Sequence, residues 1–433
     1  MKTDILLTDI CLTNTQTADI VPNCCIAITG DSITALGPAT DFHNYQANRV
    51  LHGKGQLALP GLINGHCHGA MTLFRGLADD LELGRWLNEY IFPAEAAHVN
   101  KDMVYWCTKL AAAEMIMSGT TTVADGYFLE TEAARAFAET GMRAVTAQGV
   151  IDFPAPGVPD PGQNIAAAAD CIDQLQASSP LITPAIFAHS PYTCSPQTLV
   201  NAKQLAIDRG VQLFIHVAES PAEPSMIDNM QGRSPIGHLD ALHILDENTV
   251  CIHCVWADAA DLDTLAKRQS KVVVCPQSHL KLASGIAPLR AMLDRGILVG
   301  LGTDGTASNN GLDLFREMDI CAKVQKIQCK EPVAVPAATV FTMVGRQGAA
   351  VLNMASRIGT LEPGYKADIV LVDTQTPHLQ PLHGPDLLVY AAGGADVRTV
   401  LINGVPIMEE RQCLNFDLEE TLAQVNLMAD RLR

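Results

Sequence analysis

Basic residues are scarce in this chain of 433 residues. It has 29 Lys and Arg against 47 Asp and Glu, a formal net charge of −18, and the basic residues form no cluster. Nucleic acids and anionic membrane surfaces are therefore poor candidates for partners, and a neutral or cationic small molecule fits better. No apolar run approaches the ~18 residues of a membrane span. Because Asp4 and Asp9 interrupt the first apolar segment, we expect no secretory signal.

The cysteines lack the regular spacing of a disulfide framework. There are thirteen of them, an odd number, and they are scattered along the chain. This distribution predicts reduced, mostly buried thiols in a cytoplasmic protein. An apolar share of 48% and a charged share of 18% are typical of a globular protein with a sizeable core. The length suits one large domain and a smaller one.

Short strands and turns occupy both ends of the chain. The segment CCIAITGDSITALGP is a hairpin pattern with Gly30-Asp31 at its turn, and Asn403-Gly404 marks a second turn. We predict a β-sandwich domain composed of residues 1–57 and 357–415. A C-terminal helix is expected over 416–433.

The middle of the chain, 58–356, alternates strand-like and helix-like segments. One helix is predicted from Asn100, as N-cap, to Ser118, with Gly119 just past its end. Eight such repeats predict an α/β fold, a (β/α)₈ TIM barrel with active-site groups at the carboxyl ends of its strands. The predicted strands are 58–66, 120–126, 143–151, 182–189, 211–217, 249–254, 271–276 and 298–303.

Four metal-ligand side chains lie at the carboxyl ends of predicted strands one, five and eight. They are His66 and His68 in LPGLINGHCHGAMT, His216 in LFIHVAES and Asp304 in VGLGTDGTASNN. Side chains two apart on a strand share a face, so His66 and His68 can reach one ion while Cys67 points away. Histidine and aspartate suit zinc with a position left for water. A metal that lowers the pKa of that water makes a hydroxide nucleophile, which indicates a hydrolase.

Three further residues are candidates for the same strand ends. Glu219 is placed to take a proton from the water and return it to a substrate ring nitrogen. His253, on the sixth strand, can contact the hydroxide and stabilise developing charge, with a purely structural role as the alternative. His189 follows the fourth strand, where a substrate contact competes with loop packing. Asp304 can also accept a hydrogen bond from the hydroxide.

Three other patterns carry little weight. The GxGxxG match at 300–305 precedes no predicted helix, so dinucleotide binding is not expected. Cys251 and Cys254 are three apart on a predicted strand, which would place their thiols on opposite faces and exclude a redox pair. The H-x-E and P-C-x-x-C signature of the cytidine-type zinc deaminases is absent.

The chain resembles the amidohydrolase superfamily over nearly all its length. The motifs PGLINGHCH, HVAE, CIHC and LGTDGTASNN carry the resemblance, in the expected order. It implies a (β/α)₈ barrel with a small β-sandwich and one divalent metal per subunit, usually zinc, with Fe²⁺ or another divalent ion as alternatives. No lysine at the end of strand four is available to bridge two metals.

Within that superfamily the chain looks most like the 5-methylthioadenosine/S-adenosylhomocysteine deaminases. The segments AMTLFRGLADDLELGRWLNEYIFPAEA, AHSPYTCSP and CPQSHLKLASGIAPL carry this likeness. It implies that Trp86 and Glu95 form the nucleoside pocket, with Glu95 on the ribose hydroxyls. His189 is implied as a substrate contact, and Glu219 and Asp304 as residues that touch the reacting base. The implied reaction converts an adenine nucleoside to its inosine analogue and ammonia, and the resemblance implies a homodimer.

The sequence departs from that family in two places. The arginines that meet the homocysteine carboxylate in some members have no counterpart after strand three, where Gln148 and IDFPAPGVPDPGQ stand. This favours methylthioadenosine over S-adenosylhomocysteine. In CPQSHLKL, His279 replaces an asparagine and Gln277 a glutamate.

Three alternatives to this reaction stay open. One is a triazine or other N-heterocycle hydrolase, including a chlorohydrolase, on the same scaffold. A second is a guanine-, 8-oxoguanine- or cytosine-type deaminase, against which Trp86 and Glu95 favour a ribose in the pocket. The third is a non-catalytic homologue, which the four retained ligand types disfavour.

Overall fold

Two sheets contain the strands of the described residues. The computed structural model describes residues 1–13, 20–227, 230 and 232–432; residues 14–19 and 433, in the predicted terminal domain and helix, lie outside them. The strands are β1 (Lys2–Thr13), β2 (Ile20–Thr29), β3 (Ser32–Pro38), β4 (Gln46–His52), β5 (Gln56–Pro60), β6 (Leu62–Cys67), β7 (Thr120–Tyr127), β8 (Arg143–Val150), β9 (Ile182–Ala188), β10 (Leu213–Val217), β11 (Thr249–His253), β12 (Lys271–Val274), β13 (Val299–Leu301), β14 (Ile369–Asp373), β15 (Val397–Ile402), β16 (Val405–Glu409) and β17 (Gln412–Cys413).

Helices follow most strands of the middle segment. The α-helices are α1 (Leu83–Arg85), α2 (Phe92–His98), α3 (Lys101–Met117), α4 (Glu130–Thr140), α5 (Asn164–Leu175), α6 (Pro196–Arg209), α7 (Glu223–Met226), α8 (Pro235–Ala241), α9 (Ala259–Arg268), α10 (Pro276–Lys281), α11 (Leu289–Asp294), α12 (Thr306–Asn309), α13 (Leu314–Cys329), α14 (Ala337–Met343), α15 (Arg346–Val351), α16 (Leu387–Tyr390) and α17 (Leu418–Ala429). A π-helical segment, Trp86–Ile91, joins α1 to α2. None of the described helices combines the length and apolar content needed to cross a bilayer.

The strands β6 to β13 form one parallel sheet in sequential order. Its two edges meet where the backbone N–H of Asp304, just after β13, donates to the carbonyl oxygen of His66 on β6 over 3.0 Å. The predicted (β/α)₈ barrel is therefore confirmed. Its strands are buried on both faces, because side chains fill the interior and helices cover the outside.

The predicted first barrel strand, 58–66, is wrong as a single strand. Residues Gln56–Pro60 pair with β14 and belong to the other sheet, and only Leu62–Cys67 enters the barrel. The chain passes from one sheet to the other at Gly61, whose N–H donates to the carbonyl oxygen of Asp368 over 2.9 Å. A side chain at Gly61 would overlap Thr121, so only glycine allows this close crossing.

The second sheet, which we call the terminal sheet, combines β1–β5 with β14–β17. The Gly30-Asp31 and Asn403-Gly404 turns join β2 to β3 and β15 to β16 as predicted. Buried residues from both chain ends form one cluster, including Ile10 and Ile369. The boundaries 1–57 with 357–415, 58–356 and 416–433 stay a proposal for the domains.

Two smaller predictions are also confirmed. Helix α3 begins after Asn100, whose side chain accepts a hydrogen bond from the N–H of Met103, and Gly119 follows its end with φ +87°. All thirteen cysteines are free, and ten are buried.

Candidate metal and active site

The four predicted ligands converge at the carboxyl ends of the barrel strands. His66 lies within β6, His68 one residue beyond it, and His216 within β10. One ligand atom from each of the three lies within 4.8 Å of those of the others. The Oδ1 atom of Asp304 lies 3.5 Å from Nε2 of His66 and 3.3 Å from Nε2 of His68. Four side chains from three distant segments thus surround one point.

Hydrogen bonds hold these ligands in orientations that suit a cation. The Nδ1 atom of His68 lies 2.5 Å from the carbonyl oxygen of Gly126, so Nδ1 carries the proton and Nε2 keeps its lone pair for the centre of the site. Asp304 accepts hydrogen bonds from the N–H of Gly305 over 2.8 Å and from the hydroxyl group of Ser278 over 2.7 Å. These bonds fix the carboxylate against rotation.

The chemistry of this donor set fits a divalent metal. Burial lowers the pKa of His68 to about 4, and burial is also the main cause that lowers the pKa of His216 well below its usual value. Both rings are therefore neutral near pH 7 and offer lone pairs, the form that binds metals. Imidazole nitrogens with one carboxylate oxygen are the usual ligands of a catalytic zinc ion.

Glu219 lies buried beside the ligands, three residues after His216. Burial raises the pKa of its carboxyl group well above the usual value, and the nearby charges of Asp304 and Glu223 add to this effect. The protonated form is therefore favoured. The backbone N–H of Glu219 donates to the carboxyl group of Glu223 over 2.9 Å, which fixes the backbone from which Glu219 extends.

His253 faces Glu219 from the end of β11. Its Nε2 atom lies 3.7 Å from Oε2 of Glu219, and its ring stacks on that of His216 with centroids 5.0 Å apart. The chain turns here, with φ +78° at His253 and +48° at Cys254. The prediction that Cys251 and Cys254 lie on opposite faces is wrong for this reason: the strand ends at His253, and both cysteines belong to one apolar cluster.

A cavity of about 290 Å³ opens above the ligands, which is near the lower end of the ~300–1,000 Å³ typical of small-molecule sites. The three residues expected to contact substrate, Trp86, Glu95 and His189, all line it together with Glu219 and Asp304. The ring of His189 is held by Thr193, whose hydroxyl oxygen lies 2.9 Å from Nδ1. The geometry thus brings the predicted catalytic and substrate residues to one cavity.

The outer wall of the cavity is apolar. Among the described residues, those that line it include no Lys or Arg. The rings of Phe92 and Phe153 pack edge to face there with centroids 5.5 Å apart. Gln148 does not line the cavity, since its side-chain oxygen accepts the N–H of Glu130 over 3.2 Å.

Sequence reasoning missed Tyr127, Ser278 and Glu223. Tyr127 ends β7 and donates a hydrogen bond from its hydroxyl group to Glu95 over 2.6 Å. The position of Tyr127 at a strand end was a usable signal, because such residues face the barrel mouth. Ser278 and Glu223 lie on short helices after the strands, where no periodic pattern indicates which way a side chain points.

Comparison with known proteins agrees with this geometry. A family model described as "Amidohydrolase family" matches residues 57–407. The 5-methylthioadenosine/S-adenosylhomocysteine deaminase 1 of Syntrophus aciditrophicus is 44% identical over 428 residues, 98% of this chain and 96% of the relative. The 5′-deoxyadenosine deaminase of Methanothermobacter thermautotrophicus is 42% identical over 366 residues, 83% of each chain.

A solved structure extends the agreement to the whole fold. The crystal structure of an adenosine deaminase from Xanthomonas campestris with bound zinc superposes with a TM-score of 0.95 at 33% identity, covering 100% of this chain and 99% of that one. The resemblance inferred from the sequence motifs is thereby confirmed. This chain belongs to the amidohydrolase family, as a metal-dependent hydrolase of C–N bonds.

Proposed function

We propose that this enzyme hydrolytically deaminates an adenine nucleoside with an uncharged 5′ substituent, and that 5′-methylthioadenosine is its preferred substrate. The products are the inosine analogue and ammonia. One observation carries the proposal: the same cavity has Glu219 beside the ligand cluster and the Glu95–Tyr127 pair on its wall. A base and a ribose attached to it thus find separate polar partners in a cavity whose outer wall is apolar. The names of the relatives, which include deaminases of methylthioadenosine and 5′-deoxyadenosine, support this substrate class.

We propose one zinc ion per subunit, held by His66, His68, His216 and Asp304. The bound ion would lower the pKa of a water molecule and so supply the nucleophile. The donor set fits zinc, and the related Xanthomonas structure contains it. Iron(II) is the alternative that metal analysis would distinguish.

Glu219 moves the proton in this mechanism. Its carboxyl group protonates N1 of the purine, which makes C6 electrophilic, and it recovers a proton from the attacking water. The water oxygen bonds to C6 as a hydroxyl group. The proton of that hydroxyl group passes to the amino group, and the C6–N6 bond then breaks to release ammonia and leave a carbonyl group at C6. His253 lies close enough to Glu219 to stabilise the charge that develops during attack.

Glu95 and Trp86 bind the nucleoside in this proposal. The Glu95 carboxylate accepts hydrogen bonds from ribose hydroxyl groups while Tyr127 holds it in place. His189 contacts the substrate from the end of β9. The cellular setting we propose is the cytoplasm, where the free thiols stay reduced, and the assembly a homodimer.

An ammonia-release assay tests the reaction. The metal-loaded enzyme is given 5′-methylthioadenosine, 5′-deoxyadenosine, adenosine, S-adenosylhomocysteine, guanine and a chlorotriazine, and the substrates are ranked by kcat/KM. We expect 5′-methylthioadenosine to rank first, with guanine and the triazine inactive. Turnover of none of the adenine nucleosides would reject the deaminase assignment and leave the metal site standing.

A further inference from the structure

We propose that His279 is a positioning residue that holds the proton of His253 on Nε2, the nitrogen that faces Glu219. This inference rests on the proposed deamination. It assigns a role to a buried histidine that lies outside the ligand cluster and does not line the cavity.

The two imidazole rings are in direct contact. Nε2 of His279 lies 3.0 Å from Nδ1 of His253, and the ring centroids are 5.1 Å apart at an interplanar angle of 66°. His279 lies in α10 and is buried. Its backbone N–H donates to the carbonyl oxygen of Cys275 over 3.0 Å, and its carbonyl oxygen accepts the N–H of Ser284 over 2.9 Å. These two bonds fix the backbone from which the His279 ring reaches His253.

A hydrogen bond between two neutral imidazoles requires one N–H and one lone pair. Burial lowers the pKa of His279 to about 4, so its ring is neutral near pH 7 and has a single N–H to donate. If His279 donates from Nε2, then Nδ1 of His253 is the acceptor. The single proton of His253 must then lie on Nε2, 3.7 Å from the Glu219 carboxyl group.

The opposite tautomer would damage the proton transfer. A lone pair on Nε2 of His253 would face the protonated Glu219 and accept its proton, which would withdraw that proton from N1 of the purine. An N–H at the same position cannot accept it. The N–H also stabilises the Glu219 carboxylate once the proton has moved to the purine. His279 therefore acts on the reaction through His253 and need not touch the substrate.

Two substitutions with side chains of similar length distinguish the effect of losing the N–H donor from the effect of losing side-chain volume. His279→Gln keeps an N–H that reaches towards Nδ1 of His253, whereas His279→Met fills the space without a donor. Removing a partner that orients a metal-bound histidine typically lowers activity by about 10–100-fold, and we take the same scale for His253. We expect His279→Met to lower kcat for 5′-methylthioadenosine by this factor with KM unchanged, and His279→Gln to recover most of the loss.

A binding measurement adds a readout that does not depend on turnover. The ligand is a purine nucleoside analogue whose C6 is tetrahedral and bears a hydroxyl group. We expect His279→Met to weaken the affinity for this analogue by a factor similar to the loss in kcat. Affinity for the inosine product should not change, because the donor matters only when charge develops at C6. Zinc content and melting temperature, measured on both variants, should match wild type.

Three results would overturn the proposal: wild-type kcat in His279→Met, equal losses in the two variants, or a change confined to KM. Each of these presupposes that the wild-type enzyme deaminates 5′-methylthioadenosine. If the wild type itself is inactive on adenine nucleosides, the proposed function fails instead, so the two failures are distinguishable.

Discussion

The hydroxyl group of Tyr127 donates a hydrogen bond to the carboxyl group of Glu95 over 2.6 Å, and both residues are buried in the cavity wall. The bond links the end of β7 to helix α2. Burial raises the pKa of Glu95 to about 7, while the hydrogen bond from Tyr127 lowers it. The charge of Glu95, the proposed partner of the ribose hydroxyl groups, therefore changes near neutral pH.

This relationship predicts a pH dependence of KM. The carboxylate form of Glu95 accepts hydrogen bonds from two ribose hydroxyl groups, and the protonated form is a poorer acceptor. Because the carboxylate fraction falls as pH drops through about 7, KM for 5′-methylthioadenosine should rise towards acidic pH. Tyr127→Phe removes the bond that lowers the pKa of Glu95, so the rise in KM should begin at higher pH. Steady-state kinetics from pH 5.5 to 9 would measure both curves.

The control for this prediction is a substrate that lacks the 2′ and 3′ hydroxyl groups. Its KM should not follow the titration of Glu95, because the carboxylate has nothing to bind. Identical KM profiles for the two substrates would remove Glu95 from ribose recognition.

Glu219→Gln should leave zinc bound and nearly abolish deamination. Glutamine preserves the size of the side chain and cannot shuttle a proton, and loss of a general acid–base group costs about 10²–10⁴-fold in rate. Single-turnover kinetics with 5′-methylthioadenosine and metal analysis of the same sample would test this. Near-wild-type turnover in the variant would show that another group carries the proton.

His66→Ala should lose both the metal and the activity. The matched control is His189→Ala, which removes a histidine that lines the same cavity and lies outside the ligand cluster. We expect the His189 variant to retain zinc and to show a higher KM. Metal analysis after dialysis against a weak chelator would compare the two, and equal zinc contents would contradict the ligand assignment.

Arg143→Met should destabilise the whole chain. Arg143 begins β8 and pairs with Asp368 of the segment that enters β14, and both side chains are almost fully buried, at 2% and 3% exposure. The variant leaves a buried carboxylate without its cation, which typically costs about 3–5 kcal/mol. The exposed Arg49–Glu409 pair offers the control, since Arg49→Met should change the free energy of unfolding by at most about 1 kcal/mol. Urea unfolding would measure the free energy of unfolding of both variants. Equal losses would show that burial of the ion pair does not matter.

The sequence predicted the part of the site that follows from strand periodicity. Ligands at the ends of β6, β10 and β13 share one rim in any closed parallel barrel, so His66, His216 and Asp304 meet without further information. The division of the predicted first strand at Gly61 was not predictable from the sequence. An unbroken apolar run predicts one strand, and only the close approach of Gly61 to Thr121 in the folded chain shows where it divides.

Contacts between side chains on non-periodic segments were likewise beyond sequence reasoning. Tyr127 and Glu95 are 32 residues apart, and His253 and His279 are 26 apart. Each pair joins a strand end to a residue on a short helix. The direction of such a helix depends on tertiary packing, which hydrophobic patterns do not encode.

The 5′ end of the substrate provides the last prediction. The homocysteine part of S-adenosylhomocysteine carries a carboxylate and an ammonium group, whereas the described residues that line the cavity include no cation. A carboxylate that enters the wall formed by Phe92, Phe153 and Pro154 loses hydration without gaining a partner. We expect kcat/KM for S-adenosylhomocysteine to be lower than for 5′-methylthioadenosine by about 100-fold or more, where each factor of ten corresponds to about 1.4 kcal/mol.

Ala155 offers a position at which to reverse this preference, because it lies in the same wall. Ala155→Arg introduces a guanidinium group that can pair with the homocysteine carboxylate, so the ratio of kcat/KM for S-adenosylhomocysteine over 5′-methylthioadenosine should rise. Ala155→Met is the matched control, since it adds a long side chain without charge and should lower both values together. If the arginine and methionine variants change the ratio equally, the wall discriminates by shape and the charge argument is wrong.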